Sequence, residues 1–201
     1  MIARMRRVAG VLFLLMAACV VCGAAVPAAD AAGGNDAQKR DYYSDRKLVT
    51  QDGREVRFYS DILKDRVVLI NFFFTNCRTT SARQCKVISD LQRLLGSHLG
   101  KDVFLVSMTV DPVHDTPDRI KSYARVFAAR KGWIFLTGKK ENVDFVNMRL
   151  GSYTDDPNAH PAFIILANVK TGHWIKVDPD TGARELADRL LKLLTESRGG
   201  R

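Results

Sequence analysis

The 201-residue sequence lacks the short motifs that mark three large classes of enzyme. It has no glycine-rich phosphate loop, no HExxH zinc motif and no GxSxG nucleophile elbow. Nucleotide hydrolysis, zinc proteolysis and serine hydrolysis therefore lose their usual signatures. With 46% hydrophobic residues, the chain is long and apolar enough to bury one sizeable core but is short for two.

The sequence also lacks a basic stripe interleaved with aromatic residues, the pattern typical of nucleic-acid binding. Its 31 basic residues exceed its 22 acidic ones, for a net charge of +9. Three of the basic residues, Arg4, Arg6 and Arg7, belong to the first seven positions, and the remaining surplus is modest and scattered. We therefore expect a solvated surface of mixed charge and no nucleic-acid partner.

The first 31 residues have the layout of an export signal or an amino-terminal membrane anchor. A positively charged start is followed by an uncharged apolar run over residues 8–26 and then by small residues. This run is just long enough to span a bilayer, and the arginines before it would keep its amino-terminal end on the cytoplasmic side. We expect an exported protein, in a bacterial periplasm, either soluble or anchored to the inner membrane. Cleavage, retention and lipidation at Cys19 all remain open.

Cysteine is scarce outside this leader. Of four cysteines, Cys19 and Cys22 lie in the leader, and only Cys77 and Cys85 remain for the exported part. In an oxidising compartment such a pair is a structural disulfide, a redox couple or a soft-metal site. The cysteine count alone leaves all three open.

The rest of the chain alternates strand and helix patterns after a polar linker at residues 32–45, so that one domain is expected over residues 46–201. Residues 47–50 and 55–58 flank an Asp-Gly turn and predict a hairpin, and the apolar run 67–74 predicts a central strand covered on both faces. Further strands are expected at residues 103–110, 133–136, 162–167 and 173–177, and helices at 82–95, 117–132, 142–150 and 186–194. This order indicates an α/β fold with a mixed sheet flanked by helices.

Cys77 and Cys85 fall at the carboxyl end of the central strand, where open α/β sheets gather their sites. Ser81 and Gln84 have the spacing of a capping box, which predicts a helix start near Ala82 and places Cys85 in the first turn. A continuous helix over residues 77–85 would separate the two Cα atoms by about 12 Å. A disulfide needs less than about 7 Å. A helix that begins after Ser81 lets the loop bring the sulfurs together.

The expected helix start also makes the two thiols more reactive. Free amide donors and the partial positive charge of the helix, together with Arg78 and Arg83, favour a thiolate over a thiol.

Three spaced segments resemble the Sco/SenC family of exported thioredoxin-fold copper proteins. They are residues 74–77 (FTNC), residues 110–117 (VDPVHDTP) and residues 160–168 (HPAFIILAN). The resemblance runs from about residue 45 to residue 195 and implies a thioredoxin-like fold. It also implies a copper ion bound by two cysteines of a CxxxC motif and one histidine, and a role in assembling the dinuclear copper centre of cytochrome c oxidase. The implied partner is the exported copper-binding oxidase subunit or another copper or thiol protein.

The sequence departs from the family pattern at the second cysteine. Ser81 stands at that position, and Cys85 follows Cys77 only after a seven-residue gap. Cys77 and His160 carry over by position, whereas Cys85 is nominated because Cu(I) prefers thiolate and imidazole ligands. The expected metal ligands are therefore Cys77, Cys85 and His160. Ala159 replaces the aspartate common before the family's histidine.

Other interpretations stay open beside the copper site. The two cysteines could serve a thiol:disulfide oxidoreductase or thiol peroxidase, with Cys77 as nucleophile and Cys85 as resolving thiol. They could also form a purely structural pair in a degenerate family member. Pro161 occupies the place of the thioredoxin cis-proline, with a trans proline at the start of a strand as the alternative.

Five further side chains are assigned solvated or structural roles. His98, His114 and His173 are expected to be solvated. Asp115 and Thr116 are expected to cap the helix that begins at Pro117.

Overall fold

A computed structural model describes residues 36–77 and 79–199 of the chain, with the side chains of residues 197–199 left out. The expected leader, residues 1–31, lies outside the described residues, as does Arg78. In the part of the chain that is described, none of the helices has the length and apolar character needed to cross a membrane.

The domain contains seven strands and five α-helices within the described residues. The strands are β1 (Lys47–Thr50), β2 (Glu55–Arg57), β3 (Val67–Phe73), β4 (Val103–Thr109), β5 (Trp133–Thr137), β6 (Ile164–Asn168) and β7 (His173–Val177). The helices are α1 (Asp36–Tyr43), α2 (Thr80–Leu95), α3 (Pro117–Val126), α4 (Lys140–Leu150) and α5 (Ala183–Gly199). A π-helical turn, Phe58–Leu63, joins β2 to β3.

All seven strands form one mixed sheet in the order β2-β1-β5-β4-β3-β6-β7. Strand β3 pairs parallel to β4 and antiparallel to β6, and β4 pairs parallel to β5. The hairpin β1–β2 adds to the β5 edge. The predicted α/β fold with a mixed sheet, flanking helices and an amino-terminal hairpin is confirmed.

Strand β3 lies at the centre of the molecule because both of its faces are buried. Val67, Leu69 and Phe73 point into a core covered by α2, α3 and α5. Val68, Ile70 and Phe72 point into a second core on the other face, beneath the π-helical turn and α4. Among the residues that the structure describes, the buried members of the two cores lie between residues 48 and 194, and residues 31–201 form one compact unit, so that this part of the chain has a core of its own.

A chain of polar side chains crosses the buried part of the sheet. The indole Nε1 of Trp133 donates to Ser107 Oγ at 2.9 Å, and Ser107 Oγ donates to Asn71 Oδ1 at 2.6 Å. The Asn71 amide nitrogen in turn lies 3.9 Å from Cys85 Sγ. Because buried polar groups need partners, these bonds fix the positions of three neighbouring strands relative to one another.

Part of the expected linker is helical. Residues 36–43 form α1, which buries no residue of its own but contacts the π-helical turn through the Asp36–Lys64 ion pair at 2.7 Å. Tyr43 at its end stacks on Trp174, with ring centroids 4.6 Å apart. The polar composition of residues 32–45 concealed this helix, because α1 is held by contacts to distant residues rather than by an apolar face of its own.

Candidate metal and thiol site

Cys77 lies in the turn that joins β3 to α2. Its amide donates to the carbonyl of Phe74 at 3.1 Å, which closes the turn directly after the strand. The amide of Ser81 donates to Cys77 Sγ at 3.5 Å, and Thr79 Oγ1 lies 3.7 Å from the same sulfur. The thiol therefore faces the free amides at the start of a sixteen-residue helix.

This position changes the acidity of Cys77. Partial burial raises the pKa of the thiol, but the donors of Ser81 and Thr79 outweigh burial, and the net pKa lies below its ordinary value. Arg83 does not contribute as expected, because its guanidinium pairs with Asp180 at 2.7 Å. Of the contributions expected from the described residues, the helix start thus supplies the environment that favours a thiolate.

The predicted capping box is wrong. Helix α2 begins at Thr80 with Thr79 as its N-cap, and no side chain caps it. Ser81 and Gln84 instead point inward, with exposed fractions of 0% and 1%. Neither side chain has a hydrogen-bond partner of ordinary geometry within the described chain. The helix starts earlier than predicted, so the Ser81 side chain turns into the domain instead of standing at the helix end.

This shift also moves Cys85. It lies in the second turn of α2, not the first as expected, and its side chain is fully buried in the core that α2 shares with β3. Burial raises the pKa of the Cys85 thiol to about 12, against smaller opposing effects of Tyr123 and Asn71. Both cysteines are free thiols in this structure. Their pairing on oxidation remains a prediction.

The loop 110–117 braces the turn that carries Cys77. Asp115 is fully buried and accepts from the Thr75 amide at 3.1 Å and from the hydroxyls of Thr75 and Thr109. Asp115 therefore does not cap α3 as predicted. Thr116 alone caps it, by accepting from the Arg119 amide at 3.5 Å.

Arg119 is a second brace that the sequence did not reveal. Its Nη2 donates to Asn76 Oδ1 at 2.8 Å and to Thr75 Oγ1 at 3.2 Å. It is the third residue of α3, a position at which a basic side chain is ordinarily solvated. The only available signal was that α3 follows the loop next to the cysteine turn.

His160 reaches the same region from the other side of β3. It follows the short 3₁₀ turn Pro157–Ala159, and its ring meets Phe74 edge to face with centroids 6.0 Å apart. Burial lowers the pKa of the imidazole, with a weaker opposing effect from its contact to the Pro161 carbonyl. The neutral ring that results is the form that binds metals.

The Pro161 carbonyl lies beside the ring of His160, the residue before which the family pattern has an aspartate in place of Ala159. It lies 3.3 Å from His160 Nδ1, and a proton on Nδ1 would leave the lone pair of Nε2 free for a metal. The described residues contain no cis peptide bond, so Pro161 is trans.

Two of the three expected ligands lie next to Phe74. The Cys77 amide donates to the Phe74 carbonyl and the His160 ring meets the Phe74 ring, whereas Cys85 lies inside the core. Across residues 36–77 and 79–199, no three His, Cys, Asp or Glu side chains are grouped closely enough to hold a metal ion.

The remaining histidines have carboxylate partners rather than only solvent. His98 lies 2.9 Å from Asp102, His114 lies 2.9 Å from Asp111, and His173 lies 2.9 Å from Glu196.

Comparison with known proteins agrees with this arrangement. The family model for SCO1/SenC matches residues 34–195. A SCO2-like protein of Rickettsia felis is 31% identical over 142 residues, which cover 66% of each chain. The SCO1 protein homolog of Bacillus subtilis is 37% identical over 93 residues, 46% of this chain and 47% of that one. The chain therefore spans between about half and two thirds of the length of these relatives.

Solved structures show the same fold. The SCO1/SenC family lipoprotein from Bacillus anthracis superposes with a TM-score of 0.63 at 24% identity, over 73% of this chain and 91% of that one. ScoI of Bradyrhizobium japonicum, solved with copper bound, gives a TM-score of 0.62 at 26% identity, over 73% and 96%. With its thioredoxin-like sheet, its cysteine turn and the match over residues 34–195, this chain belongs to the SCO1/SenC family.

Proposed function

We propose that this protein binds Cu(I) outside the cytoplasm and delivers it to the copper-binding subunit of a cytochrome c oxidase. One observation carries the proposal: Cys77, whose thiol has a lowered pKa, and His160, whose imidazole is neutral, both contact Phe74, the first through its backbone amide and the second through its ring. Thiolate and imidazole are ligands that Cu(I) prefers. The copper-bound ScoI of Bradyrhizobium japonicum supports the choice of metal.

Cys85 is proposed as the third ligand, reached through a rearrangement of the start of α2. The first turns of this helix contain Ser81 and Gln84, whose buried polar atoms have no partner of ordinary geometry among the described residues. Such unpaired groups cost about 1–3 kcal/mol each. The start of α2 is therefore a weakly held part of the fold, and its opening would bring Cys85 toward Cys77.

The test is an anaerobic competition titration of the reduced domain with Cu(I). Cys77→Ser and His160→Ala should each lower the affinity by about 100-fold or more, beyond the roughly 10–100-fold typical of groups that only orient a ligand. Cys85→Ser should lower it by less, because the helix must open before that thiol can bind. His173→Ala is the matched control, since this imidazole pairs with Glu196 at 2.9 Å on β7. Wild-type affinity in His160→Ala would remove His160 from the site.

Delivery is tested with the isolated copper-binding domain of the oxidase subunit. The loaded protein should transfer Cu(I) to this domain, and Cys77→Ser should not. Transfer at the same rate from free Cu(I) would show that the protein adds nothing to delivery.

Export is tested separately. Residues 1–40 fused to a reporter active only outside the cytoplasm should confer activity, because the positive start and the apolar length both direct export. Activity confined to the cytoplasm would contradict this part of the proposal.

A second candidate, thiol:disulfide oxidoreductase or thiol peroxidase, is favoured by the lowered pKa of Cys77 alone. Its resolving thiol, Cys85, is buried and has a raised pKa, which makes it a poor nucleophile at neutral pH. Turnover of a disulfide or peroxide substrate by wild type, lost in both Cys77→Ser and Cys85→Ser, would favour this candidate over copper delivery.

A further inference from the structure

A basic groove of about 930 Å³ opens at the end of the sheet where β4 and β5 begin. Six basic side chains line this basic groove: Arg54, Arg66, Lys121, Arg125, Arg130 and Lys131. They come from the β1–β2 turn, the start of β3, α3 and the loop before β5. The sequence showed only a scattered surplus of charge because these four segments are far apart along the chain.

Most of this charge is not neutralised by acidic neighbours. The two carboxylates of the groove are engaged, since Asp52 pairs with Lys121 at 3.2 Å and Asp61 accepts from the Arg57 amide at 2.7 Å. The exposed side chains of four lining residues form no ion pair with any residue that the structure describes. These four are Arg54, Arg125, Arg130 and Lys131.

Arg66 gives the groove a fixed cation above an apolar floor. Its guanidinium stacks 4.3 Å from the centre of the Phe104 ring and donates to the Ile62 carbonyl at 2.9 Å. Ile134 lines the groove beside them. A guanidinium held in one orientation is suited to an oxygen anion such as a phosphate, and the apolar floor is suited to the hydrocarbon attached to it.

The position of the groove in the fold favours a phosphate of a membrane lipid over a free phosphate. Asp36, the first described residue, pairs with Lys64, two positions before Arg66, so the chain enters the domain at this end. Cys77 follows the opposite end of β3, and seven strand residues separate the two ends by about 23 Å. The apolar run at residues 8–26 is expected to meet a membrane, and in the sequence it ends ten positions before Asp36.

We propose that the basic groove binds the phosphate groups of anionic lipid headgroups and so holds the domain against a membrane surface. Basic side chains near an anionic bilayer attract it electrostatically, each by a modest amount, and several together give appreciable binding. In this orientation the Cys77 turn faces away from the lipid. The inference does not depend on copper binding.

The test uses residues 31–201, because this part forms one compact unit with its own core and lacks the apolar run that would bind vesicles by itself. It should co-sediment with vesicles of phosphatidylcholine and phosphatidylglycerol, but not with phosphatidylcholine alone. Raising the salt concentration should weaken the binding.

Two triple variants with the same change in net charge locate the effect. Arg54→Gln, Arg125→Gln and Lys131→Gln together should lower vesicle affinity by about 100-fold, at about five-fold for each side chain. Lys86→Gln, Arg184→Gln and Lys192→Gln remove three exposed charges from α2 and α5 and should leave most of the binding intact. Circular dichroism confirms that both variants fold.

Three results would overturn the proposal. Wild type could fail to bind anionic vesicles, or the two triple variants could lose affinity equally, which would indicate net charge rather than the groove. The groove could also bind inorganic phosphate, detected by chemical-shift changes at Arg66 and Phe104, while vesicles do not bind. The groove would then be a site for a free anion.

Discussion

Arg119 donates from Nη2 to Asn76 Oδ1 at 2.8 Å and thereby ties the first turn of α3 to the residue before Cys77. The bond joins the loop after β3 to a helix that begins after the loop of β4, more than forty positions away in the sequence. Both loops follow neighbouring parallel strands, so the register of β3 against β4 sets the distance that Arg119 has to cover.

Replacing Arg119 with Gln should loosen the Cys77 turn without unfolding the domain. The side chain is exposed, and exposed charged contacts stabilise folds by only about 0–1 kcal/mol. We expect a thermal midpoint close to wild type and a Cu(I) affinity lowered by about ten-fold, as for other groups that orient a ligand. Lys170→Gln, an exposed cation on the loop after β6, is the matched control. Unchanged copper affinity would limit Arg119 to a surface role.

Asp115 should make stability depend on pH in an unusual direction for a carboxylate. Burial raises its pKa above the ordinary value of 3.8, against the opposing effect of its bonds from Thr109 and Thr75. The folded state then keeps the proton to a higher pH than the unfolded state does. This contribution to stability is complete below about pH 3.8 and is lost as pH rises through the folded pKa.

Asp115→Asn isolates that contribution because asparagine does not titrate. The free energy of unfolding of wild type minus that of Asp115→Asn should be largest at low pH and decline as pH rises above about 3.8. Urea titrations across this range measure it. A difference that is constant with pH, or that grows with pH, would contradict the raised pKa.

Alkylation should distinguish the two thiols. In the reduced native domain, iodoacetamide should modify Cys77 only, and its rate should rise with pH around a midpoint below that of a cysteine peptide measured in parallel. Cys85 should react only after unfolding in urea, because it is buried and its pKa is raised to about 12. Ser81→Ala retains the amide that donates to Cys77 but removes the Ser81 side-chain hydroxyl, the largest of the effects that lower the pKa, so it should reverse part of the shift. Modification of both thiols in the native state would show that α2 opens readily.

Moving the second thiol to the family position should strengthen copper binding. Ser81→Cys combined with Cys85→Ser restores the CxxxC spacing and places a thiol at the fully buried position beside Cys77. We expect Cu(I) affinity to rise by about ten-fold or more over wild type.

Stability measurements separate the effect of the new thiol on copper binding from any effect of the two substitutions on folding. Ser81→Ala removes a buried hydroxyl that has no partner of ordinary geometry among the described residues, so it should not destabilise the domain. A double variant with wild-type stability and lower affinity than wild type would show that Cys85 is already the better ligand.

The sequence was sufficient to predict the position of elements whose own residues indicate burial or a helix start. The apolar run at residues 67–74 predicted β3, and Thr116 with Pro117 predicted the start of α3. The start of α2 was misplaced because Ser81 and Gln84 match a capping box locally, while tertiary packing draws both side chains into the domain.

The candidate site, too, was predictable from the sequence only in part. The family pattern nominated Cys77 and His160 as ligands, because each lies at a fixed place relative to a buried strand, and their role in binding copper stays a prediction. The depth of Cys85 was not predictable, since a displacement of the helix start by two residues changes which turn faces the core. The braces made by Asp115 and Arg119 depend on strand register, which the sequence of either loop does not contain.

The polar chain from Trp133 through Ser107 and Asn71 to Cys85 has a practical consequence. Tryptophan emission responds to changes in the hydrogen bonding of the indole, and Trp133 is one of only two tryptophans in the chain. Any event that draws Cys85 away from Asn71, whether oxidation or metal uptake, would be transmitted to a buried fluorophore. We therefore expect the fluorescence of Trp133 to report on the state of the buried Cys85 thiol. In Trp174→Phe, Trp133 would be the sole source of tryptophan emission.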